Sequence, residues 1–504
     1  MITCVIKHEE LRTRPRTIEC LRKLGSFPVL LAVLLALVIF LAIPRSIADP
    51  DIGWHLRNAQ YQIHTHSFLR QDLYSFTTHG KPWMDHEWLA EIPFYLAWRA
   101  FGPRGVFLVS VALIETILLG IFGLAYVQSK SAKAAFVVSF AAIFLASVSF
   151  GPRTLLFGWV FLVVELGILY RFRSGRRQQD LWLLPFLFLL WVNAHGSWII
   201  GIVLLGLFIM SGCVEGTCGS IEDRRWTRAE AVSLGWTSLL SVLAVFVNPY
   251  GWRLVLYPFD IAFHQTLNIA NVQEWKSLDF HTPRGKVVLA ILAGAILLQL
   301  VRRRKWRLHE VLFALVGMYA GLTYSRFLFL TAILVLPFLA EDLSSWMPYY
   351  ADRDKPWLNA PIAVGAVVAA ILLFPSNRQL DSRGANLYPD QALTYLQHFD
   401  FHGNVFNDYL WGGYLIWNVR QVPVFIDSRV DVFERNGVLA DYLHVVRIED
   451  SLRILDKYSI RYVLITNHVP LSYLLQHTSG WKVDYQEKTA ILLERTSHLP
   501  RGHR

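Results

Sequence analysis

The sequence predicts a polytopic α-helical membrane protein of about eleven transmembrane helices, with a long first outer loop bearing amphipathic helices and a small C-terminal α/β domain. Hydrophobic residues make up 54% of the 504 residues and charged residues only 17%, against roughly 25% charged in an ordinary soluble domain. Apolar runs recur along the chain at close to the roughly 20 residues that cross a bilayer as a helix. A single removable signal segment would not account for them.

The apolar runs divide the chain into three predicted parts. A basic arm covers residues 1–27, the transmembrane domain 28–380 and the α/β domain 386–496. The predicted transmembrane helices lie at about 28–44, 105–127, 134–150, 154–170, 181–193, 197–212, 229–247, 286–301, 309–323, 326–340 and 359–375.

Lys and Arg set the predicted orientation, because cytoplasmic loops carry them in excess. They are concentrated in the N-terminal arm and in alternate connections, such as residues 302–305. We therefore place the N-terminus in the cytoplasm of a multi-pass plasma (inner) membrane protein. The first outer loop (residues 45–104), the connection at 248–285 and the C-terminal domain are placed outside. The same bias explains the net charge of +10, so nucleic acid is not an expected partner.

The first outer loop carries two acidic clusters, each just before a predicted amphipathic helix. Asp49 and Asp51 follow the first apolar run, and Asp51 is placed to cap a helix on which Trp54 suits the headgroup layer. The apolar stripe of this helix consists of Ile52, Leu56, Ala59 and Ile63. Asp85 is placed to cap a second helix, which begins near Trp88.

The acidic clusters have a chemical and a structural interpretation. Two short carboxylates can share a divalent cation, or one can orient a group while the other removes a proton. The candidate catalytic residues are therefore Asp49, Asp51, Asp85 and Glu87. The cofactor stays open, and a divalent cation such as Mg²⁺ or Mn²⁺ would be held by Asp49 and Asp51. In the structural interpretation, Asp51 and Asp85 only cap their helices.

Further ionisable groups are predicted on the same side of the membrane. Arg153 separates two spans, His195 interrupts an apolar run and Arg326 opens another span. Such groups are costly when they face lipid, so they are expected to face a cavity or a partner. The alternative for each arginine is a side chain that snorkels to the headgroups. The other cavity candidates are His55, His86, Asn193 and Glu274.

Short β-rich runs that alternate with helical stretches predict the C-terminal α/β domain. The predicted strands lie at 405–406, 422–426, 462–465 and 490–493. This domain is not expected to carry the catalytic carboxylates, and Asp427 and Asp431 within it are expected to be structural. If the domain packs over the first outer loop, it would fit a role in acceptor selection or lid formation.

Two motifs in the first outer loop carry a family resemblance. The loop opens with Asp49-Pro50-Asp51-x-x-Trp54-His55-Leu56 and later contains Trp83-x-Asp85-His86-Glu87-Trp88. With the basic arm, the single preceding span and the many following ones, the N-terminal two-thirds resembles the GT-C superfamily of membrane glycosyltransferases, closest to bacterial relatives of the protein O-mannosyltransferases. The resemblance implies a catalytic acidic residue at Asp49 or Asp51, with Asp85 and Glu87 as a second match, and a sugar donor carried on polyprenyl phosphate.

The predicted location of the carboxylates also favours a lipid-linked donor. Nucleotide-sugars lie on the cytoplasmic side, so an activated sugar used outside must arrive on a lipid. The phosphate that remains needs cations, and the candidate donor phosphate-binding residues are Arg153, His195 and Arg326. The expected partners are membrane lipids, the polyprenyl-phosphate sugar donor and a glycan, lipid or protein acceptor.

These features predict an inverting hexosyl or pentosyl transferase with Asp49 or Asp51 as the general base, the inversion being implied by the resemblance. Two alternatives stay open: a transporter of lipid-linked saccharides and a non-catalytic envelope scaffold. A transporter would more often show paired broken helices in repeated halves, whereas only the break at 193–197 is evident in the sequence. A scaffold would tolerate the loss of Asp49.

Overall fold

The computed structural model describes residues 22–302, 304–347, 354–384 and 387–496. Most of the predicted N-terminal arm, residues 1–21, lies outside the described residues. Up to residue 384 the regular secondary structure of the described chain is helical apart from one short hairpin, and a larger sheet is found only after that point.

The elements of the N-terminal part are numbered in chain order. The helices are α1 (Phe27–Ala42), α2 (Ile52–Thr65), α3 (Trp88–Phe101), α4 (Pro103–Ser129), α5 (Ala132–Ala146), α6 (Leu155–Arg173), α7 (Leu184–Ala194), α8 (Trp198–Ser211), α9 (Arg228–Ala244), α10 (Trp252–His264), α11 (Thr266–Asn271), α12 (Pro283–Arg302), α13 (Leu308–Thr323), α14 (Leu328–Ser344), α15 (Pro356–Leu372) and α16 (Asn377–Gly384). The antiparallel hairpin of β1 (Gly216–Cys218) and β2 (Ile221–Asp223) follows α8.

Each predicted transmembrane segment contains a helix, and in the part of the chain that the structure describes five helical segments are long and apolar enough to cross a membrane. They are Pro103–Ser129, Ala132–Ser149, Leu155–Arg173, Pro283–Arg302 and Ser325–Ser344. The apolar helices α1, α8, α13 and α15 are shorter. Helix α7 has 11 residues, or about 16 Å, against a hydrocarbon core of about 30 Å. The number of eleven crossings therefore stays a prediction.

Helix α14 lies at the centre of the bundle. Every residue from Leu328 to Ala340 is buried, and the helix packs against α4, α5 and α13. Small residues on α13 allow the close approach, because a Cβ atom added at Gly321 would lie 2.0 Å from the Thr331 hydroxyl. The same hydroxyl donates to the Gly317 carbonyl oxygen at 2.7 Å. The sequence run that forms α14 is thus covered by protein on all sides.

Helices α2 and α3 are the two predicted helices of the first loop. Asp51 occupies the N-cap position of α2, and Glu87 rather than Asp85 occupies that of α3. Neither Asp51 nor Glu87 makes a side-chain capping hydrogen bond. Asp51 therefore has the predicted cap position but makes no capping hydrogen bond, whereas the prediction that Asp85 caps α3 is wrong.

The C-terminal unit, residues 387–496, contains a four-stranded mixed sheet. Its elements are α17 (Leu393–His398), β3 (Asn404–Asn407), α18 (Gly412–Asn418), α19 (Val430–Arg435), α20 (Val438–Val446), α21 (Ser451–Lys457), β4 (Ile460–Thr466), α22 (Pro470–Gln476), β5 (Trp481–Gln486) and β6 (Ala490–Arg495). The strand order is β3-β4-β6-β5, with β3 and β4 parallel and the other pairs antiparallel. The predicted strand at 422–426 is not part of this sheet, and β5 was not predicted because it is an edge strand with few buried residues.

The C-terminal unit packs on the first loop, and the two share one hydrophobic core. Val424 forms an isolated parallel bridge with Ser75 of the loop, which is the contact that the extended 422–426 segment makes. A Cβ atom at Gly53 in α2 would lie 2.0 Å from the Gly413 carbonyl oxygen in α18, so the two helices meet backbone to backbone. Trp54 is 4% exposed, so its predicted place in the headgroup layer is wrong, because α18 and its flanks cover it.

Candidate active site

Three predicted residues form a row of ion pairs at the start of the first loop. Asp49 is 5% exposed, and its Oδ2 accepts a hydrogen bond from Arg153 Nε at 3.1 Å. The Arg153 Nη1 atom pairs with Glu274. The Asp51 backbone N–H donates to Asp49 Oδ1 at 3.0 Å. Arg153 is therefore held by two carboxylates rather than snorkelling freely.

Burial raises the pKa of both aspartates of this row. For Asp49, loss of hydration is the largest effect, and the charge of Arg153 opposes it. The pKa of Asp51 rises to about 7, first because of burial and second because of the negative charge of Asp49. The hydroxyl of Ser428, which lies next to the Asp51 carboxyl group, opposes this rise. Asp51 therefore loses its proton near neutral pH, beside an Asp49 whose own pKa is also raised.

The raised pKa of Asp49 predicts how this residue would respond to pH as a base. A carboxylate base works only when it is deprotonated, so we expect the fall of kcat/KM on the acid side to lie at a higher pH than an ordinary aspartate would give. Asp51→Asn removes the neighbouring negative charge, which lowers the pKa of Asp49 and shifts the acid limb to lower pH. The measurement is sugar transfer by both proteins between about pH 5 and pH 9. If the acid limb lies at the same pH in the wild type and in Asp51→Asn, the charge of Asp51 does not affect the pKa of the base.

Glu87 lies at the centre of three imidazoles. Its Oε1 is 3.2 Å from His195 Nε2 and 3.5 Å from His86 Nε2, and its Oε2 is 3.6 Å from His55 Nε2. Burial, followed by the charge of Asp51, raises the pKa of Glu87 well above its ordinary value. Burial also lowers the pKa of His55, and that of His86 to about 4. The imidazoles are therefore neutral at physiological pH.

Asp85 lies in a second buried row behind Glu87. Its Oδ2 accepts from Gln62 Nε2 at 2.8 Å, and the carboxyl group also contacts Glu91. Burial raises the pKa of Asp85 to about 6 and that of Glu91 well above its ordinary value. Glu91 Oε1 in turn lies 2.7 Å from His55 Nδ1. The carboxyl group of Asp85 thus contacts Gln62 and Glu91. The carboxyl group of Glu87, in contrast, is affected by the charge of Asp51.

His195 and Asn193 lie at the break between α7 and α8. The Ser197 backbone N–H donates to His195 Nδ1 at 2.9 Å, so the neutral ring carries its proton on Nε2, the atom that faces Glu87. Asn193 accepts from Trp88 Nε1 at 3.0 Å and donates to the Val247 carbonyl oxygen at 3.0 Å. The amide of Asn193 therefore connects segments of the bundle, while His195 belongs to the Glu87 cluster.

Arg326 is a cation that makes no ion pair within 4 Å with any carboxylate of the described residues. Its guanidinium carbon lies 4.3 Å from the ring centroid of Trp275, and its Nε is buried without a hydrogen-bond partner. The negative charges of Glu274, Glu87 and Asp51 act on it. Arg326 therefore has hydrogen-bonding capacity left for an anion near these three acidic residues.

A cavity of about 600 Å³ adjoins Asp49. It lies between the start of the first loop, the segment after α15 and the C-terminal unit, and most of its lining is apolar. The lining includes Asp49, Trp98, Arg378 and Tyr388, but not Arg153 or Arg326. Asp49 thus lines the cavity on one side and contacts Arg153 on the other.

The divalent cation expected at Asp49 and Asp51 stays a prediction. No group of three or more His, Cys, Asp or Glu side chains in the described ranges is arranged to hold a metal ion. The pair named as candidate ligands, Asp49 and Asp51, already has a cation, because Arg153 binds Asp49 directly. We therefore derive no step through a divalent cation.

Three residues of the site were not among the predicted ones. Glu91 follows Glu87 by one helical turn on α3, so helical spacing could have indicated it. Thr154 donates to Glu87, and Ser428 donates to the Pro50 carbonyl oxygen at 3.1 Å and accepts from Trp54 Nε1 at 2.9 Å. No local pattern indicates Thr154 or Ser428.

Comparison with solved structures shows the fold. The structure of ArnT from Cupriavidus metallidurans bound to undecaprenyl phosphate gives a TM-score of 0.51 at 14% identity, over 94% of this chain and 99% of that one. The apo oligosaccharyltransferase of Archaeoglobus fulgidus gives 0.51 at 11% identity, over 86% of this chain and 69% of that one. No protein-family model and no curated protein matches the sequence. At these identities the likeness shows the fold alone.

Proposed function

Because the chain has the GT-C glycosyltransferase fold, we propose that it transfers a sugar from a polyprenyl-phosphate donor to an acceptor outside the plasma membrane. One observation carries this proposal: Asp49 is buried and bound to Arg153, and the carboxylates that follow in the same row, Asp51 and Glu274, act on Arg326. Arg326 has no carboxylate partner within 4 Å in the described ranges. Asp49 supplies a base, and Arg326 supplies a place for the phosphate. The fold resemblance expected from the loop motifs supports the same assignment.

We assign the general base to Asp49. Its carboxylate borders the 600 Å³ cavity, and Arg153 and the Asp51 backbone N–H fix its orientation. Ser428 of the C-terminal unit lies next to the neighbouring Asp51. A fixed, desolvated carboxylate next to a cavity is the arrangement that general base catalysis requires.

In the proposed step, an acceptor hydroxyl in the cavity gives its proton to Asp49 while its oxygen attacks C1 of the donor sugar. The new C1–O bond forms as the bond between C1 and the phosphate oxygen breaks. The electron pair of the broken bond stays on the polyprenyl phosphate. Attack from the side opposite the phosphate inverts the configuration at C1, so the product has the other anomeric form.

The phosphate of the donor is assigned to Arg326, with Arg153 and His195 beside it. Arg326 is stacked on Trp275 and has an unsatisfied buried Nε, so its guanidinium is oriented before the donor binds. His195, whose Nε2–H faces Glu87, lies within electrostatic reach of Arg326. Charge-assisted contacts of this kind stabilise the phosphate both in the bound donor and as it separates from the sugar.

Arg326→Ala tests this assignment. Loss of a charged hydrogen bond costs about 1.5–3 kcal/mol, so we expect the Kd for a polyprenyl-phosphate sugar to rise by roughly 10- to 100-fold. The matched control is Arg253→Ala, because Arg253 is exposed and also lies over a tryptophan ring, at 5.9 Å from Trp252. Donor binding is measured with the purified protein in nanodiscs. Unchanged donor affinity in Arg326→Ala would contradict the phosphate assignment.

A further inference from the structure

A second cavity, of about 880 Å³, lies away from the Asp49 cavity and shares no lining residue with it. Three segments build it: the face of α2 from Arg57 to Thr65, the loop from Leu73 to His79, and the C-terminal unit from Ile416 to Pro423. Its volume falls in the range of about 300–1,000 Å³ that is typical of ligand cavities. The proposed transfer reaction makes no use of it.

The charged groups of this cavity are two arginines. Arg57 and Arg420 line it together with His64 and His79, and no Asp or Glu does. Neither arginine has an ion-pair partner within 4 Å in the described part of the chain, and the one side-chain hydrogen bond shown for Arg57 goes to Gln60 Oε1 at 2.6 Å. Burial and the nearby charge of Arg420 lower the pKa of Arg57, so the two cations repel each other. An anion between them would relieve that repulsion.

The remaining lining suits a sugar more than a bare ion. Tyr61, Tyr74 and Phe76 supply aromatic surface, and Ser75 and Thr65 are hydroxyl-bearing neighbours. The wall is also fixed in advance: the Tyr74 hydroxyl donates to Asn58 Oδ1 at 2.9 Å. A preformed aromatic surface with a few polar groups is typical of sites that bind organic ligands. It is not typical of charged side chains that are simply exposed to water.

We infer that this cavity binds an anionic saccharide, a short glycan segment that carries carboxylate or phosphate groups, between Arg57 and Arg420. The two guanidinium groups contact the anionic substituents, and the aromatic side chains cover the apolar faces of the sugar rings. This inference does not depend on the transfer reaction, because it concerns binding at a separate cavity.

The test is direct binding to the purified full-length protein in nanodiscs. The probes are tri-galacturonic acid, which carries carboxylates, glucose 6-phosphate, which carries a phosphate, and the neutral maltotriose. We expect one anionic probe or both to bind at least about tenfold more tightly than maltotriose, and the affinity to fall as salt is raised. Which of the two anionic probes binds shows whether the cavity recognises carboxylate groups or phosphate groups.

The variant Arg57→Gln/Arg420→Gln is expected to weaken binding of the anionic probe by at least about tenfold, since charged contacts are lost. The matched control is Arg99→Gln, an exposed arginine of the same loop that does not line the cavity. Should the double variant fail to fold, His64→Gln/His79→Gln is measured instead, with a smaller loss expected. Two results would overturn the inference: anionic probes that bind no better than maltotriose, or variants that bind them as the wild type does.

Discussion

Replacing both Asp49 and Asp51 by Asn is expected to lower the rate of sugar transfer by roughly 10²–10⁴-fold, the usual effect of removing general base catalysis. Asparagine keeps the shape of the side chain and one acceptor oxygen, so the Asp49–Arg153 hydrogen bond survives in part. Donor binding should change far less, because the phosphate contacts lie at Arg326. The measurements are kcat for transfer and Kd for the donor.

Asp400→Asn serves as the control for this double substitution, since Asp400 is exposed and its ion-pair partner among the described residues, His402, is exposed as well. It should transfer sugar at the wild-type rate. If the double variant also transfers at that rate, neither aspartate is the base, and Glu87 becomes the next residue to test.

Arg429→Met is expected to destabilise the contact between the C-terminal unit and the first loop by about 3–5 kcal/mol, because it leaves buried carboxylates without their cation. The Arg429 side chain is 1% exposed, and its Nη2 lies 2.7 Å from Asp72 Oδ1 and 2.6 Å from Asp427 Oδ2. Burial alone would raise the pKa of Asp72, but Arg429 and local hydrogen bonds outweigh it and hold that pKa below its ordinary value. The measurement is thermal unfolding in detergent.

The triple variant Arg429→Met/Asp72→Asn/Asp427→Asn separates charge from packing. With the buried negative charges gone, most of the lost stability should return. If the triple variant is as unstable as Arg429→Met, the loss comes from packing, because the Arg429 guanidinium also lies 4.8 Å from the Trp83 ring centroid. Wild-type stability in Arg429→Met would show that this network does not hold the two parts together.

The helix positions could be predicted because hydropathy depends only on local sequence. The same holds in part for the site: Asp49, Arg153 and Glu274 were placed on one side by topology, and the structure brings them into direct contact. Glu87 and His195 were grouped in the same way and lie 3.2 Å apart. A common side of the membrane thus predicts a neighbourhood, although it does not predict which atoms pair.

The contacts of the C-terminal unit could not be predicted because they join residues distant in the sequence. Trp54 belongs to a residue type that is common in the headgroup layer. Its indole N–H nevertheless donates a hydrogen bond to the Ser428 hydroxyl oxygen at 2.9 Å. The run at 422–426 has the residues of a strand, and only its neighbour in space, Ser75, decides that it pairs outside the main sheet. Periodicity carries no information on either partner.

Release of polyprenyl phosphate tests the proposed reaction most directly. Purified protein in proteoliposomes is incubated with polyprenyl-phosphate sugars of several head groups and an envelope fraction as the source of acceptor, and free polyprenyl phosphate is measured by mass spectrometry. We expect the wild type to release it from at least one donor, and Asp49→Asn/Asp51→Asn to release it roughly 10²–10⁴-fold more slowly. Equal release by the two proteins, or none by the wild type from any donor, would contradict the assignment.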